Sequence, residues 1–424
     1  MAEIKPFKGL RFAPQAGKTE ELVCPPYDII SEEERVAYLE RNGNNIIRLE
    51  LPREGENPYE QAGKTLQEWL AAGVLAAEEQ DSLYIYEEEF TALGENKKIK
   101  GLVCRVGLTP FSAGVVLPHE ETLSKAKTDR LNLMKATGCN FSAIYSLYFD
   151  QDRTINQRIT ALSAGHPDME FASADGIIHR VWIVSDPAET TALSAAFVDK
   201  KLYIADGHHR YETALNYKEY LREQGQNVEG HPASAVMMTL VDMENEGLVV
   251  FPTHRVLHGL TDFNREQLLE SCKAYFAVEE IAPDQAQARL DTAVAKDEKA
   301  FALYTAGKMN LLTLTDNTIM KELLADMSGA YQNLDVSILH VLILERLLGI
   351  DKENMANQTN LTYMRDAADA IAAVDKGQAD CAFLINPTKV EEIAQVAGAG
   401  EKMPQKSTYF YPKLITGHIV NPLF

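Results

Sequence analysis

The chain has 424 residues, 46% of them apolar and 24% charged, an ordinary globular mixture and more than one hydrophobic core usually serves, so two or three domains are expected. A formal net charge of -21 argues against a broad basic face for nucleic acid or an anionic membrane surface, because neutralising phosphates needs clustered Lys and Arg. No stretch approaches the roughly 18 uninterrupted apolar residues of a membrane span, Met1-Ala2-Glu3-Ile4-Lys5-Pro6 lacks the apolar core of a signal peptide, and Cys24, Cys104, Cys139, Cys272 and Cys381 form no Cys-x-x-Cys pair; a cytoplasmic protein without a disulfide framework or zinc site is expected.

Along the chain, Ser31 with Glu34 three residues later marks a helix start of the capping-box type, and Gly43 a stop. Residues 45–51 read as a strand. Asn57-Pro58 opens a second helix that Gly73 ends. Residues 82–91 and 98–108, separated by Gly94-Glu95-Asn96, read as an antiparallel hairpin. After a polar stretch, a helix is expected near 127–137. Elements then alternate: strand 143–149, helix 152–164, strand 180–185, helix 187–198, strand 202–206, helix 208–224 and strand 234–242. That rhythm predicts an α/β fold. Gly259-Leu260-Thr261-Asp262 is read as a joint, giving regions 1–259 and 260–424. The second region continues with helix 263–274, strand 275–281, helix 283–295, a hairpin over 299–315 turning at Ala306-Gly307, helices 318–328, 335–348 and 364–375, strand 380–385 and helix 388–397.

The densest chemistry lies in Asp206-Gly207-His208-His209-Arg210-Tyr211-Glu212. An apolar strand ends at Asp206-Gly207, and from His208 the pattern turns helical, with Tyr211, Ala214, Leu215 and 217–221 on one broad face. A helix N-terminus offers unpaired N–H groups and partial positive charge, which suits an anion. Gly207 permits a tight turn and close ligand approach, Arg210 has a planar fork for phosphate oxygens, and two histidines add donors. Singly, Asp206 serves equally as an N-cap and either histidine as a core residue; together in one turn they favour a site. Asp206, His208, His209 and Glu212 are also metal-binding types, but adjacent histidines diverge on a helix and no His-x-x-x-His pair exists, so no dedicated metal site is expected; magnesium carried in by a nucleotide fits better.

A second cluster spans 117–130. Lys125, Lys127 and Arg130 make a basic knot in an acidic chain, and His119 and Glu120 supply a candidate acid/base pair on a loop; a solvated loop with incidental ion pairs is the alternative. Cys24-Pro25-Pro26-Tyr27-Asp28, Phe251-Pro252-Thr253-His254-Arg255 and Gln405-Lys406-Ser407-Thr408 are weaker candidates for pocket walls.

Pro6-Phe7-Lys8-Gly9-Leu10-Arg11, Pro25-Pro26-Tyr27-Asp28, Leu117-Pro118-His119-Glu120, Asp206 to Glu212 and Met403-Pro404 through Lys413 together resemble a bacterial and archaeal family known as domain of unknown function 1015, over essentially the whole chain. More distantly, the Asp-Gly-His-His-Arg run looks like the phosphate-binding turn of the ParB-like and sulfiredoxin superfamily, whose free L-serine kinases carry a very similar turn and use a nucleotide with magnesium. The resemblance implies a mixed-sheet N-terminal region of that type, joined here to a second α/β (α+β) domain, most of which cannot be matched to those kinases. It implies phosphate contacts from Gly207, His208, His209 and Arg210, with Asp206 shaping the turn or assisting the metal. The N-terminal carboxylate those kinases use as general base has no residue-by-residue match; Glu50 and Glu120 are both candidates, with His119 beside the latter. The resulting expectation is a nucleotide-dependent phosphotransferase (ATP or ADP with Mg2+) acting on a small hydroxylated metabolite, with no nucleic-acid or membrane partner and room for a homo-oligomer. A nucleotide-binding regulator without turnover and a hydrolase of small phosphorylated metabolites are the alternatives.

Overall fold

The computed structural model describes residues 1–122 and 124–424, without the side chains of residues 124–126. It is a mixed α/β structure in two compact units: Met1–Pro118, Thr122–Val249 and Pro412–Phe424 form the first, and His119–Glu121 with Val250–Tyr411 the second. The chain enters the second unit briefly at His119–Glu121 and again at Val250, and returns to the first at Pro412.

The first unit is built on a nine-stranded sheet of β1 (Ile4–Lys5), β2 (Leu83–Ala92), β3 (Glu95–Gly107), β4 (Val116–Leu117), β5 (Ile144–Tyr148), β6 (Met169–Ala172), β7 (Ile178–Val184), β8 (Leu202–Asp206) and β9 (Ala235–Asp242). Its spatial order is β4-β8-β5-β9-β3-β2-β7-β6, with β1 on β3. Strand β9 is buried at every position because it runs parallel to β5 and antiparallel to β3 in the middle of the sheet. The expected hairpin is β2–β3, but its turn is Leu93-Gly94, both at positive φ (54° and 78°), the backbone that a two-residue hairpin turn requires.

Helices α1 (Glu32–Arg41), α2 (Ile47–Glu50), α3 (Pro58–Ala71), α4 (Ser124–Thr137), α5 (Thr154–Leu162), α6 (Pro187–Ala196) and α7 (His208–Glu223) belong to this unit. The capping box of α1 is complete: Glu34 N donates to Ser31 Oγ at 3.2 Å, and Ser31 N to Glu34 Oε2 at 2.8 Å. The strand expected at 45–51 is instead α2. Asn45, fully buried, donates to Glu21 O (2.8 Å) and Val23 O (3.1 Å) and accepts from Ile47 N (2.9 Å), so its side chain fixes a helical turn where an apolar run reads as extended. Helix α7 packs against α4, which also meets α3, and buries Tyr211, Ala214, Tyr217 and Leu221 in the main core beside Ile204 and Met238.

The second unit has a six-stranded sheet of β10 (His254–Leu257), β11 (Phe276–Ile281), β12 (Ala300–Thr305), β13 (Lys308–Leu314), β14 (Leu361–Met364) and β15 (Cys381–Leu384), ordered β11-β13-β12-β15-β10-β14. The β12–β13 hairpin turns at Ala306-Gly307 as expected. The helix expected from 364 begins only at Ala367, because 361–364 pairs antiparallel with β10. The helix expected at 335–348 is α-helical over Asp335–Ile338 and continues as a π-helix over Leu339–Glu345.

Candidate functional site

Strand β8 ends in an irregularity. Its register with β5 shifts between Ile204 and Asp206, which re-aims the last residue of the strand. Gly207 follows at φ 101°, and α7 begins at His208. A Cβ at Gly207 would lie 2.9 Å from Arg210 Nε and 3.0 Å from its Cζ, so both the backbone angle and the folded-back guanidinium require glycine here. The cap residue has no side-chain acceptor for the first turn of α7. Tyr211 fixes that turn to the sheet's flank, its hydroxyl donating to Thr109 O at 2.8 Å and accepting from Thr109 N at 3.1 Å.

Asp206 is held between two cations, Arg210 Nη2 and Lys413 Nζ. Burial pushes its carboxyl up, but Lys413 and Arg210 together outweigh this and hold it below the usual carboxylate range; His208 adds to the effect. Arg210 Nη1 donates to Ala143 O at 2.6 Å. The terminal nitrogens of the fork are thus engaged by the protein, so Arg210 clamps the turn to the start of β5 rather than presenting an open fork to phosphate. Its charge nevertheless reaches Glu50, Asp28 and Tyr27.

Glu50 closes α2 and is 2% exposed. Ser142 Oγ donates to Glu50 Oε1 at 3.0 Å. Arg130, on α4, donates to the Glu50 backbone oxygen at 2.7 Å and lies 3.7 Å from Oε1. Burial raises the Glu50 pKa above its ordinary value, against the opposing pull of Arg130 and Arg210. Arg130 is itself gripped by Asp129 Oδ2, at 2.8 Å from Nε and 2.6 Å from Nη2, and its guanidinium stacks 4.0 Å from the Tyr27 ring centroid. Burial pushes the Tyr27 hydroxyl up to about 12 despite both arginines. A cavity of about 40 Å³ opens among Glu50, Arg130, Ser142, Arg210 and Thr213, room for a hydroxyl or a water and little more. The arrangement is a buried carboxylate of raised proton affinity flanked by two cations, at the foot of a glycine turn that opens a helix.

The expected residues divide between the two units. Asp206, Gly207, His208, His209, Arg210, Glu50 and Arg130 share the first. Lys127 joins them through Glu212, with Nζ 2.6 Å from Oε2, and Thr122 Oγ1 donates to the same oxygen at 2.7 Å. That carboxylate already answers Lys127, so the basic knot is in part an internal ion pair. The Lys125 side chain lies outside the described residues. His119 and Glu120 belong to the second unit. There His119, 1% exposed, meets Thr408 Oγ1 at 3.0 Å, and Glu120 Oε1 accepts from Lys406 N at 3.1 Å. Both hold the C-terminal segment of that unit in place.

Four residues take part in ways that the sequence does not show. Lys413, the last residue of the segment from Met403-Pro404 quoted above, enters as the second cation on Asp206. Tyr27 and Asp28 were legible as a candidate pocket wall but not as neighbours of arginines. Glu88, on β2, is fully buried; Tyr86 Oη donates to its Oε1 at 2.8 Å, and burial raises it to about 8. The strand is buried at nearly every position, so no alternation in the sequence marks Glu88 as inward; its field reaches Tyr145, which also senses Asp206.

A family model described as "Protein of unknown function (DUF1015)" matches residues 4–337. No curated protein matches the chain. Among solved structures, a conserved hypothetical protein from Pyrococcus furiosus aligns over 73% of this chain and 90% of its own, with 16% identity and a TM-score of 0.34. A free serine kinase in complex with AMP aligns over 73% and 86%, with 15% identity and a TM-score of 0.36. SbnI with a C-terminal truncation, from Staphylococcus aureus, aligns over 72% and 83%, with 12% identity and a TM-score of 0.35.

Proposed function

The chain belongs to the DUF1015 family, and we propose that its first unit is a nucleotide-dependent phosphotransferase acting on a small hydroxylated metabolite, of which a hydroxyl amino acid such as free serine is the first to test. The observation that carries this reading is Glu50: a buried carboxylate of raised proton affinity that shares a hydroxyl-sized cavity with Arg130 and Arg210, beside the Gly207 turn. Phosphoryl transfer depends on positioning and charge neutralisation more than on covalent chemistry. The nucleotide phosphates would lie on the N-terminus of α7, approached closely because Gly207 has no side chain, with His208 and His209 as donors. Asp206 and Lys413 set the turn, and Arg210 supplies charge without leaving its backbone partner. Glu50 takes the acceptor's proton, the acceptor oxygen attacks the terminal phosphorus, and the shortened nucleotide leaves. Arg130 holds Glu50 and lowers the cost of the charge that develops.

Magnesium suits this donor set only as the nucleotide's companion, since it prefers phosphate oxygens, water and one or two carboxylates. Asp28, exposed and within electrostatic reach of Arg210 and Glu50, is a carboxylate of the right type. Among the described residues no helix is long and apolar enough to cross a membrane, and a cytoplasmic site of action with a nucleotide and a small metabolite as partners fits the reading.

The test is incubation of the full chain with ATP or ADP, magnesium and a panel of hydroxylated metabolites, with mass-spectrometric detection of the phosphorylated product. Product formed by the wild type and lost in Glu50→Gln supports the proposal. Tight nucleotide binding with no product from any acceptor assigns a regulatory role instead, and phosphate release from phosphorylated metabolites without nucleotide assigns a hydrolase.

A further inference from the structure

The second unit buries an arginine that no carboxylate among the described residues answers. Arg255, on β10, is 0% exposed. Its guanidinium donates to Thr253 O and to Thr253 Oγ1 (2.9 Å), to His340 Nε2 (3.2 Å) and to Lys406 O (3.4 Å), and lies 5.3 Å from the Tyr363 ring centroid. Every one of these partners is neutral. Removing a lone cation from water costs several kcal/mol even after relaxation, and burial draws the Arg255 pKa down to about 10.

Two of its neighbours, His340 and Tyr363, line a cavity of about 440 Å³ in the same unit, within the range of small-molecule sites. Arginine can only donate, so His340 Nε2 must accept, which leaves the ring proton on Nδ1 and makes the neutral imidazole a donor. Burial and Arg255 both keep that ring neutral. The Tyr363 hydroxyl is buried with no hydrogen-bond partner among the described residues, a condition that costs free energy unless a ligand or water meets it. Arg346, Lys352 and Lys402 complete the polar wall and outnumber the carboxylates Glu121 and Glu345 that share it. Leu323, Leu324 and Met355 supply the apolar wall. His340 stands on the π-helix Leu339–Glu345, a geometry that recurs at functional sites.

We propose that this cavity binds a small organic anion, with its charged head towards Tyr363 and His340, where the field of Arg255 falls, and its apolar body against Leu323, Leu324 and Met355. The site lies wholly in the second unit and stands independently of the phosphotransferase reading.

The test uses the full chain and three matched probes in ligand-observed NMR: 3-phenylpropionate, phenyl phosphate and the uncharged 3-phenylpropanol. At least one anion is expected to bind about tenfold or more tightly than the alcohol, and the preferred anion identifies the head group as carboxylate or phosphate. Tyr363→Phe, which removes one hydroxyl, is expected to weaken that anion about fivefold to tenfold with thermal stability unchanged. Lys402→Met, a conservative change of volume at the wall, should weaken it severalfold and flatten its salt dependence. Equal binding of alcohol and anions, an anion affinity indifferent to both substitutions, or no binding of either anion below about 10 mM would each overturn the assignment.

Discussion

Replacing Asp206 by Asn is the sharpest probe of the turn. The carboxylate lies between Arg210 and Lys413, and the three side chains are 11 to 17% exposed. Removing one member of a buried ion pair costs about 3–5 kcal/mol, chiefly because the remaining charge is left without compensation. Asn keeps an acceptor oxygen and the site retains some water, so about 2–4 kcal/mol is expected. At about 2 °C per kcal/mol for a unit of this size, the melting temperature should fall by roughly 4–8 °C. The pH dependence gives a second, independent check. The folded-state pKa of Asp206 is depressed below its unfolded value of about 3.9, so its contribution is complete above pH ~5 and is lost as pH falls through the folded-state value. Denaturant unfolding of both proteins at pH 7, 5 and 3.5 should therefore show a constant gap between the first two and a narrower gap at the third. A loss below about 1 kcal/mol at pH 7, or a gap that widens on acidification, would refute the argument that the two cations depend on Asp206.

Glu50→Gln should reduce phosphotransfer by about 100-fold or more while nucleotide affinity changes only a fewfold, as equilibrium binding and steady-state rates will show. In the wild type the acidic limb of the rate profile should fall above the usual carboxylate range, because burial raises Glu50; a limb at ordinary carboxylate pH would point to another base. Gly207→Ala forces a side chain into a backbone at φ 101° and against Arg210, and should cost about 1–3 kcal/mol in denaturant melts with weaker nucleotide binding; a neutral outcome would show that the turn relaxes freely. Glu88 has its folded-state value raised to about 8, so the stability it confers is present below its unfolded value of about 4.3 and is lost as pH rises through 8. Glu88→Gln should thus gain on the wild type by a few kcal/mol between pH 5 and pH 8, and a pH-independent difference would remove Glu88 from the list of buried acids.

Periodicity carried the fold wherever one face of an element is buried. The β8–α7 passage was legible to the residue because an apolar run, an Asp-Gly break and a helical stripe are all local signals. The 45–51 segment was misread for a non-local reason. Ile46, Ile47, Leu49 and Leu51 are all buried, so the apolar run carries no period, and Asn45 decides its conformation through bonds to Glu21 and Val23, more than 20 residues away. The same limit hid Leu361–Met364, whose strand pairing with β10 spans about 100 residues of sequence.

The site shows where composition stops informing. Arg210 was legible as a phosphate-type residue, yet in the folded chain its fork is spoken for by Asp206 and Ala143. A short motif reveals which groups are concentrated but not which of them cancel. Cancellation here is incomplete in a directed way. Asp206 answers Arg210 and Lys413, Asp129 answers Arg130, and Glu212 answers Lys127, while Glu50 lies among these pairs with its carboxylate still desolvated enough to have its pKa raised. Two arginines within electrostatic reach would ordinarily depress a carboxylate. Burial prevails over both, and on that ground we propose Glu50, rather than the more conspicuous histidines, as the general base; its ionisation is the quantity on which the phosphotransferase proposal stands or falls.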